Sequence, residues 1–515
     1  MPQLRLSRRQ VLAAGTAAAS GLFLPAYSRA SQRPALTHGV QSGDVSADGA
    51  VIWARADRPS RMMVEVSTTE SFAEARRLPG LGLTSASDMM GKMELTGLPS
   101  DQDVFYRVTM LDLGDVNAAS EPVVGRFRTA PTAMRDITFT WSGDTAGQGW
   151  GIDESRGGMT IYSTMLRHDP DFFLHSGDTI YADGPLKPEV ELKDGAIWKN
   201  LVTEEKSKVA ETLAEFRGNF LYNLLDANVR EMAARVPMLA QWDDHETTNN
   251  WYPSERLEDD RYTEKSVALL SARANQAFRE TMPLRESSVE PGRIYRKVAY
   301  GPLLDVFFLD MRSYRGDNAS NDQMEPGPQT DFLGAAQMRW LKAELAASTA
   351  TWKVIAADMP IGMIVRDGPS AFENSANGDG PVKGREFDIA EVLSFIKHAK
   401  VKNTVWLTAD VHYTAAHHYS PDRASFQDFE PFWEFVSGPL HAGTFGPADY
   451  DDTFGPKVEF AKAPTAEQGQ NLPPSEGLQF FGKVDIEGAT GRMTVRLMDA
   501  GDVELWATTL DPERA

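Results

Sequence analysis

The 515-residue chain contains no cysteine. Disulfides, thiolate zinc sites and a cysteine nucleophile are therefore excluded together, and any catalytic metal has to sit on oxygen and nitrogen donors. Positive charge is scarce as well. With 52 Lys+Arg against 73 Asp+Glu the formal charge is −21, which disfavours a stable nucleic-acid partner or an anionic membrane surface. No Gly-x-Ser-x-Gly segment occurs, so a Ser-His-Asp hydrolase has no support. No internal repeat is visible. The acid excess has two readings, a solvated exterior or a cluster that binds hard cations, and only spacing separates them.

At the N-terminus, Ser7-Arg8-Arg9-Gln10-Val11-Leu12 precedes the small-residue and apolar stretch 13–24, which ends near Ser28-Arg29-Ala30, with no acid up to that point. This order of regions resembles a twin-arginine export signal over residues 1–30. The apolar run is too short and too rich in Gly and Ala for a bilayer anchor. The signal implies passage through the twin-arginine translocase to a periplasmic or secreted location. That route carries folded proteins, so a cofactor can be loaded before export.

Length predicts two or more domains, because single cores stop growing near about 250–300 residues. From 36 to 131 the chain reads as short alternating strands (51–54, 62–66, 93–95, 105–108, 124–127) separated by turns, which predicts a small β-sandwich of fibronectin or immunoglobulin type. From 135 to 515 apolar runs alternate with helical patterns. Strands are expected at 137–141, 172–175, 238–242, 303–309, 354–357 and 404–407, and helices at 204–226, 264–282, 335–347 and 389–398. That alternation predicts an α/β domain with its sheet buried on both faces. Residues 447–476, rich in Pro, Gly and Asp, are expected to form a long surface loop. A closing meander (480–486, 492–498, 503–508) is expected to complete a sheet edge.

Four of the strand-like runs end in acids or histidine: Ser142-Gly143-Asp144, Ser176-Gly177-Asp178-Thr179-Ile180-Tyr181-Ala182-Asp183, Trp242-Asp243-Asp244-His245-Glu246 and Ala409-Asp410-Val411-His412. The carboxyl ends of adjacent strands in an open α/β sheet converge on one crevice. Oxygen and imidazole donors from four strands can then enclose two cations, which together bind phosphate and acidify water. Gly143 and Gly177 are expected to let the chain turn sharply before each Asp. Each motif alone has a plain alternative, a turn for Gly-Asp or a helix N-cap for Asp243-Asp244; four together at four strand ends do not. Arg312 and Arg385 are candidates to grip phosphate by bidentate bonds, with structural ion pairing as the alternative. His441 either lines the pocket or caps a turn, and His398, His417 and His418 are expected at the surface.

With the opening His38-Gly39-Val40-Gln41-Ser42-Gly43-Asp44 and the segment Leu309-Asp310-Met311-Arg312-Ser313-Tyr314-Arg315, these motifs resemble the metallophosphoesterase superfamily, and within it the alkaline phosphatase D (PhoD-like) family. The resemblance implies a calcineurin-like α/β (α+β) sandwich preceded by the β-sandwich. It makes Asp144 a terminal ligand, Asp178 the bridge, Tyr181 a phenolate suited to ferric iron, and Asp244, Asp410 and His412 the remaining ligands. Asp358 is the nearest counterpart of a further histidine of the superfamily. His245 would protonate or stabilise the leaving alkoxide. Here the family's cysteine ligand is missing, and carboxylates stand where neutral donors are usual, which shifts preference toward harder ions. A dinuclear or multinuclear centre of Fe(3+) and Ca(2+) is expected, with Mn, Mg or Zn open. The implied activity is that of an exported alkaline phosphatase or phosphodiesterase that hydrolyses small-molecule phosphate esters by attack of a metal-bound hydroxide. The alternatives are a dedicated phospholipase D or nucleotidase, and a secreted binding protein without catalysis.

Overall fold

The computed structural model of the chain describes residues 33–115 and 117–513; the expected export signal lies outside them. Two large sheets face each other. The first has nine strands in the order Glu504–Leu510, Met493–Asp499, Phe480–Ile486, Ile137–Ser142, Phe172–Ser176, Met238–Gln241, Leu36–Gly43, Ala50–Ala56 and Met90–Leu95. Its centre is parallel, from Ile137–Ser142 through Leu36–Gly43. The closing meander pairs antiparallel on one edge, as its pattern predicted.

The second sheet has seven strands, in the order Arg296–Ala299, Leu304–Phe308, Trp352–Ala356, Thr404–Thr408, Phe432–Val436, Thr414–Tyr419 and Pro456–Lys462. Alternation along each strand decides what it buries. Val306 and Phe308 point between the sheets, where Phe139, Trp141, Phe172 and Leu174 meet them. Phe307 points outward onto Met338, Leu341 and Leu345 of the helix Gly334–Ala347, which packs beside Glu386–His398. On the outer face of the first sheet, Ala240 and the adjoining Trp242 meet the helices Leu213–Asn223 and Val267–Thr281. With both faces covered, the strands read as near-continuous apolar runs, which is why they were legible.

Residues 36–131 divide between two sheets. Three strands extend the nine-stranded sheet, joined to its centre at Gly43 opposite Met238. The rest form a sheet of five, built on Ser60–Ser67, Asp103–Asp112 and Val123–Arg128, whose Val64, Tyr106 and Val108 share a core with Val40 and Ile52.

Two expectations need correction. The helix expected at 204–226 is Leu213–Asn223, because Thr212 and Glu215 close a capping box that starts it there. The freed segment 204–212 instead delivers Lys206 Nζ to the Tyr181 carbonyl, 2.9 Å away. The expected loop 447–476 contains the edge strand Pro456–Lys462, paired with Thr414–Tyr419. Its charged Lys457, Glu459 and Lys462 suit an exposed edge and hid the strand from an apolar pattern. No described helix is long and apolar enough to cross a membrane.

Candidate metal centre

The carboxyl ends of strands from both sheets meet in one cleft of about 620 Å³, whose floor carries Asp178, Asp244, His245, Asp410 and His412. The side chains arrive by strained backbone. Asp144, Asp178, Asp410 and His412 all have left-handed φ, between 52° and 67°, a conformation that costs non-glycine residues about 1–3 kcal/mol and concentrates at functional sites. Gly177, at φ 106°, makes the turn expected of it. Gly143 does not. There Asp144 itself takes the left-handed turn, and Gly143 is small because a Cβ would lie 2.8 Å from that of Ala409.

Three overlapping groups have ligand atoms within 4.8 Å of one another: Asp144, Asp178 and His412; Asp178, Asp244 and His245; and Asp243, Asp244 and Asp410. Asp178 belongs to the first two and Asp244 to the last two, so the acids form a continuous chain rather than isolated sites. Around the first group, Tyr181 Oη lies 2.8 Å from His412 Nε2, and His412 Nε2 is 3.5 Å from Asp144 Oδ1. His412 Nδ1 donates to the Gly443 carbonyl, which orients the ring and leaves Nε2 facing the acids. Gly147 makes room for Tyr181, since a Cβ there would meet its ring at 2.1 Å.

Cations fit this donor set. Among the described residues, both Asp144 oxygens and Asp244 Oδ1 are buried without a hydrogen-bond partner, an arrangement that costs heavily unless something positive sits among them. Burial, with Asp244 and Glu246 nearby, pushes Asp144 and Asp178 well above the usual carboxylate range, against the opposing pull of His245. Burial likewise raises Asp243 and Asp410. Burial would raise Asp244 too, but His245 and Arg312 outweigh it and hold it low. His412 is lowered by burial to about 4, the neutral imidazole that ligation requires. Burial and the adjacent acids raise Tyr181 far above the phenol range, so a strong Lewis acid is needed to ionise it.

His245 differs from these. Its Nδ1 lies 2.8 Å from Asp183 Oδ1, and although burial opposes the charge, Asp183, Asp244 and Asp178 together raise the imidazole well above its ordinary value. Cations on Asp244 and Asp178 would remove part of that pull; Asp183, outside the three groups, would keep its share. Glu246 ties the motif together by accepting from the backbone of Thr179 and Asp243, at 2.6 and 2.8 Å.

Three expected residues do other work. Arg312 is wholly buried and does not line the cleft. Its guanidinium lies 2.5 Å from Asp243, 2.6 Å from Glu373, 3.3 Å from Asp358 and 3.8 Å from Asp410. It is the counter-charge behind the floor, not a grip on substrate. Asp358 accordingly faces Arg312 and joins none of the three groups. Arg385 is likewise used up, donating to the carbonyls of Phe372, Glu373, Gly316 and Asp317. His441 sits in a different cavity and meets the Gly151 carbonyl at 3.0 Å. His417, expected at the surface, is fully buried.

Asp183, Asp243 and Glu373 are site residues that sequence reasoning did not assign. Asp183 and Asp243 stood inside the quoted motifs, Asp183 two residues past Tyr181 and Asp243 next to Asp244. Glu373 carried no signal, because the strand before it, Ala371–Phe372, has only two residues and shows no periodic pattern.

Gly438 supports the centre by its size. A Cβ there would fall 2.1 Å from Asp144 Oδ2. The end of a side chain yields more readily than backbone, so Gly438→Ala should turn the Asp144 carboxylate and leave the fold intact. The expected result is a metal affinity lower by about 10–100-fold with a nearly unchanged melting temperature, read by metal titration and calorimetry.

The architecture and the acid chain can be set beside known proteins. The model of the PhoD-like phosphatase family matches residues 139–497, and that of the PhoD-like phosphatase N-terminal domain matches 18–131. The chain belongs to the PhoD-like phosphatase family. It is a phosphoric ester hydrolase. Alkaline phosphatase D of Bacillus subtilis (strain 168) is 29% identical over 447 residues, which are 81% of this chain and 71% of that protein. In three dimensions the chain is similar to PhoD, with a TM-score of 0.69 at 24% identity over 92% of this chain and 89% of the other. It is also similar to the purple acid phosphatase PPD1 of yellow lupin, at 0.57 and 11% identity over 93% and 74%. The mixed α/β, sheet-rich fold is thus shared with both.

Proposed function

We propose that the chain is an exported, metal-dependent alkaline phosphatase or phosphodiesterase that hydrolyses small-molecule phosphate esters by direct attack of water, without a phosphoenzyme. The observation that carries this reading is the continuous acid chain around Asp178, with its orphaned buried oxygens, at the floor of an open cleft. Cations held there would supply the Lewis acidity for hydrolysis and neutralise phosphate charge. Asp144, Asp178, Tyr181 and His412 would hold one ion, and Asp178, Asp244, Asp243 and Asp410 the others. Tyr181 and the hard carboxylates favour Fe(3+) with Ca(2+), Mn, Mg or Zn being the other candidates.

His245 is the group suited to give a proton to the leaving oxygen. Asp183 keeps it charged, and its side chain opens on the cleft. We further propose that residues 1–30 direct export by the twin-arginine route to the periplasm or beyond, that 36–131 form a β-sandwich domain, and that 135–515 form the catalytic domain.

Elemental analysis of the exported chain, read with its visible spectrum and with turnover of an aryl phosphate, tests the proposal. Iron with a tyrosinate charge-transfer band, calcium and turnover are expected. Zinc or manganese without that band would overturn the metal assignment, and a metal-free chain without turnover would overturn the function.

A further inference from the structure

Behind the cleft wall lies a buried polar chain that the chemistry above does not use. Glu434, on the strand Phe432–Val436, and His417, on Thr414–Tyr419, sit directly opposite one another across the sheet, and neither is exposed. Glu434 accepts from the Ile361 N–H at 2.6 Å and from the Tyr419 hydroxyl at 2.8 Å, and its Oε2 lies 2.9 Å from His417 Nδ1. On the other side of the ring, Nε2 is 3.0 Å from the Tyr450 hydroxyl. Tyr450 in turn is 3.2 Å from the hydroxyl of Tyr413, which accepts from the Ala448 N–H at 3.2 Å. Tyr413 directly follows His412 in the chain.

The two ends of this chain hold the two segments that wall the cleft. One contains Ile364, Val365 and Arg366; the other contains Phe445, Pro447 and Ala448. The segments touch through a short antiparallel pairing, Met363 opposite Tyr450 and Ile364 opposite Asp449. So small a ribbon is marginal on its own. What holds it is that Glu434 grips the start of the first segment at Ile361 while His417 and Tyr413 grip the second at Tyr450 and Ala448. A buried chain in which every member has a partner is rigid, and losing one link leaves its neighbours unpaired.

We propose that Glu434, His417, Tyr450 and Tyr413 are positioning residues that set the spacing of the cleft walls, and so select esters with a broad apolar leaving group. This rests on the phosphatase reading above. The reacting phosphate belongs on the acid floor, and beyond it Ile364, Val365, Val411, Phe445, Pro447 and Ala448 form an apolar strip. The strip is flanked by Gln148, Asn249, Asn250, Asp449, Gln470 and Arg366, the one Lys or Arg among the described lining residues. An aryl group bound there contacts Ile364, Val365, Phe445 and Pro447. A small alkyl group does not reach them.

The test compares Tyr450→Phe and His417→Gln with the wild-type holoenzyme on 1-naphthyl phosphate and on ethyl phosphate. Removing one link should raise KM for the naphthyl ester about fivefold, the loss expected of one buried hydrogen bond, with KM for ethyl phosphate and the bound metal unchanged. The double variant should be no worse than His417→Gln, because both changes cut the same link. Tyr450→Phe keeps the ring and should fold even if His417→Gln does not. Equal losses of kcat on both esters with KM unmoved would show a merely structural role and overturn the proposal, as would unchanged kinetics in folded Tyr450→Phe. If the wild-type chain turned over neither these esters nor the matching naphthyl and ethyl methyl diesters, the phosphatase reading itself would fall, which the variants would not be needed to show.

Discussion

Asp178→Asn should strip the chain of metal and lower kcat/KM by about a thousandfold or more, an effect of at least ~4 kcal/mol on the transition state. Asp178 is common to two of the three ligand groups, so its loss empties neighbouring positions at once. The amide is nearly isosteric and keeps an oxygen to accept from the His245 N–H, now 3.2 Å from Oδ1. What goes is the charge and the second acceptor oxygen with which Asp178 would serve both groups. Folding should move the other way. Burial raises the Asp178 carboxyl well above 3.8, so the folded chain binds its proton more tightly than the unfolded chain does. An acid raised in this way makes the metal-free protein lose stability as pH climbs above that unfolded value. Asp144, Asp243 and Asp410 are raised in the same sense. Metal-free Asp178→Asn should therefore melt higher than the metal-free wild type at pH 8 and nearly alike at pH 4. Elemental analysis, aryl phosphate kinetics and melting curves at the two pH values read all of this. Full turnover with intact metal in Asp178→Asn would sink the reading of Asp178 as a bridge.

How much of this was legible in the sequence depended on which physical constraint wrote it. The central strands of both sheets announced themselves because two covered faces force continuous apolar runs, as at Phe172–Ser176 and Leu304–Phe308. The exposed edge strand Pro456–Lys462 is under no such constraint and passed for a loop. The metal residues were legible because they follow strand ends: Asp144, Asp178, Asp244, Asp410 and His412 each sit within four residues of one. Glu373 reaches the same floor from a loop 61 residues past Arg312 in the chain, and nothing local marks it. His417 was misplaced for a related reason. Its partner Glu434 is a cross-strand neighbour, and pairing across a sheet leaves no local trace in a sequence.

Arg312 shows most clearly what burial decides and motif position does not. An arginine a few residues past a strand end in a phosphatase invites a role in gripping phosphate. The structure instead encloses it among Asp243, Asp358, Glu373 and Asp410; burial opposes its charge, but Asp243, Glu373, Asp244 and Asp358 raise its guanidinium well above the ordinary value. One cation thus offsets a group of acids, two of which, Asp243 and Asp410, belong to a ligand group. Removing it leaves buried charges that cannot find water. Arg312→Met, which keeps length and apolar bulk, should cost about 3–5 kcal/mol of folding stability, seen as a large fall in the urea midpoint of the metal-free chain. Added cations should recover part of that loss, because they neutralise some of the same acids. Arg312→Lys should fall in between, since an ammonium carries the charge but not the planar fork that reaches several carboxylates at once. If Arg312 instead held substrate, Arg312→Lys would raise KM for every ester while the urea midpoint stayed where it was. Measuring both quantities on the same preparation separates the two roles.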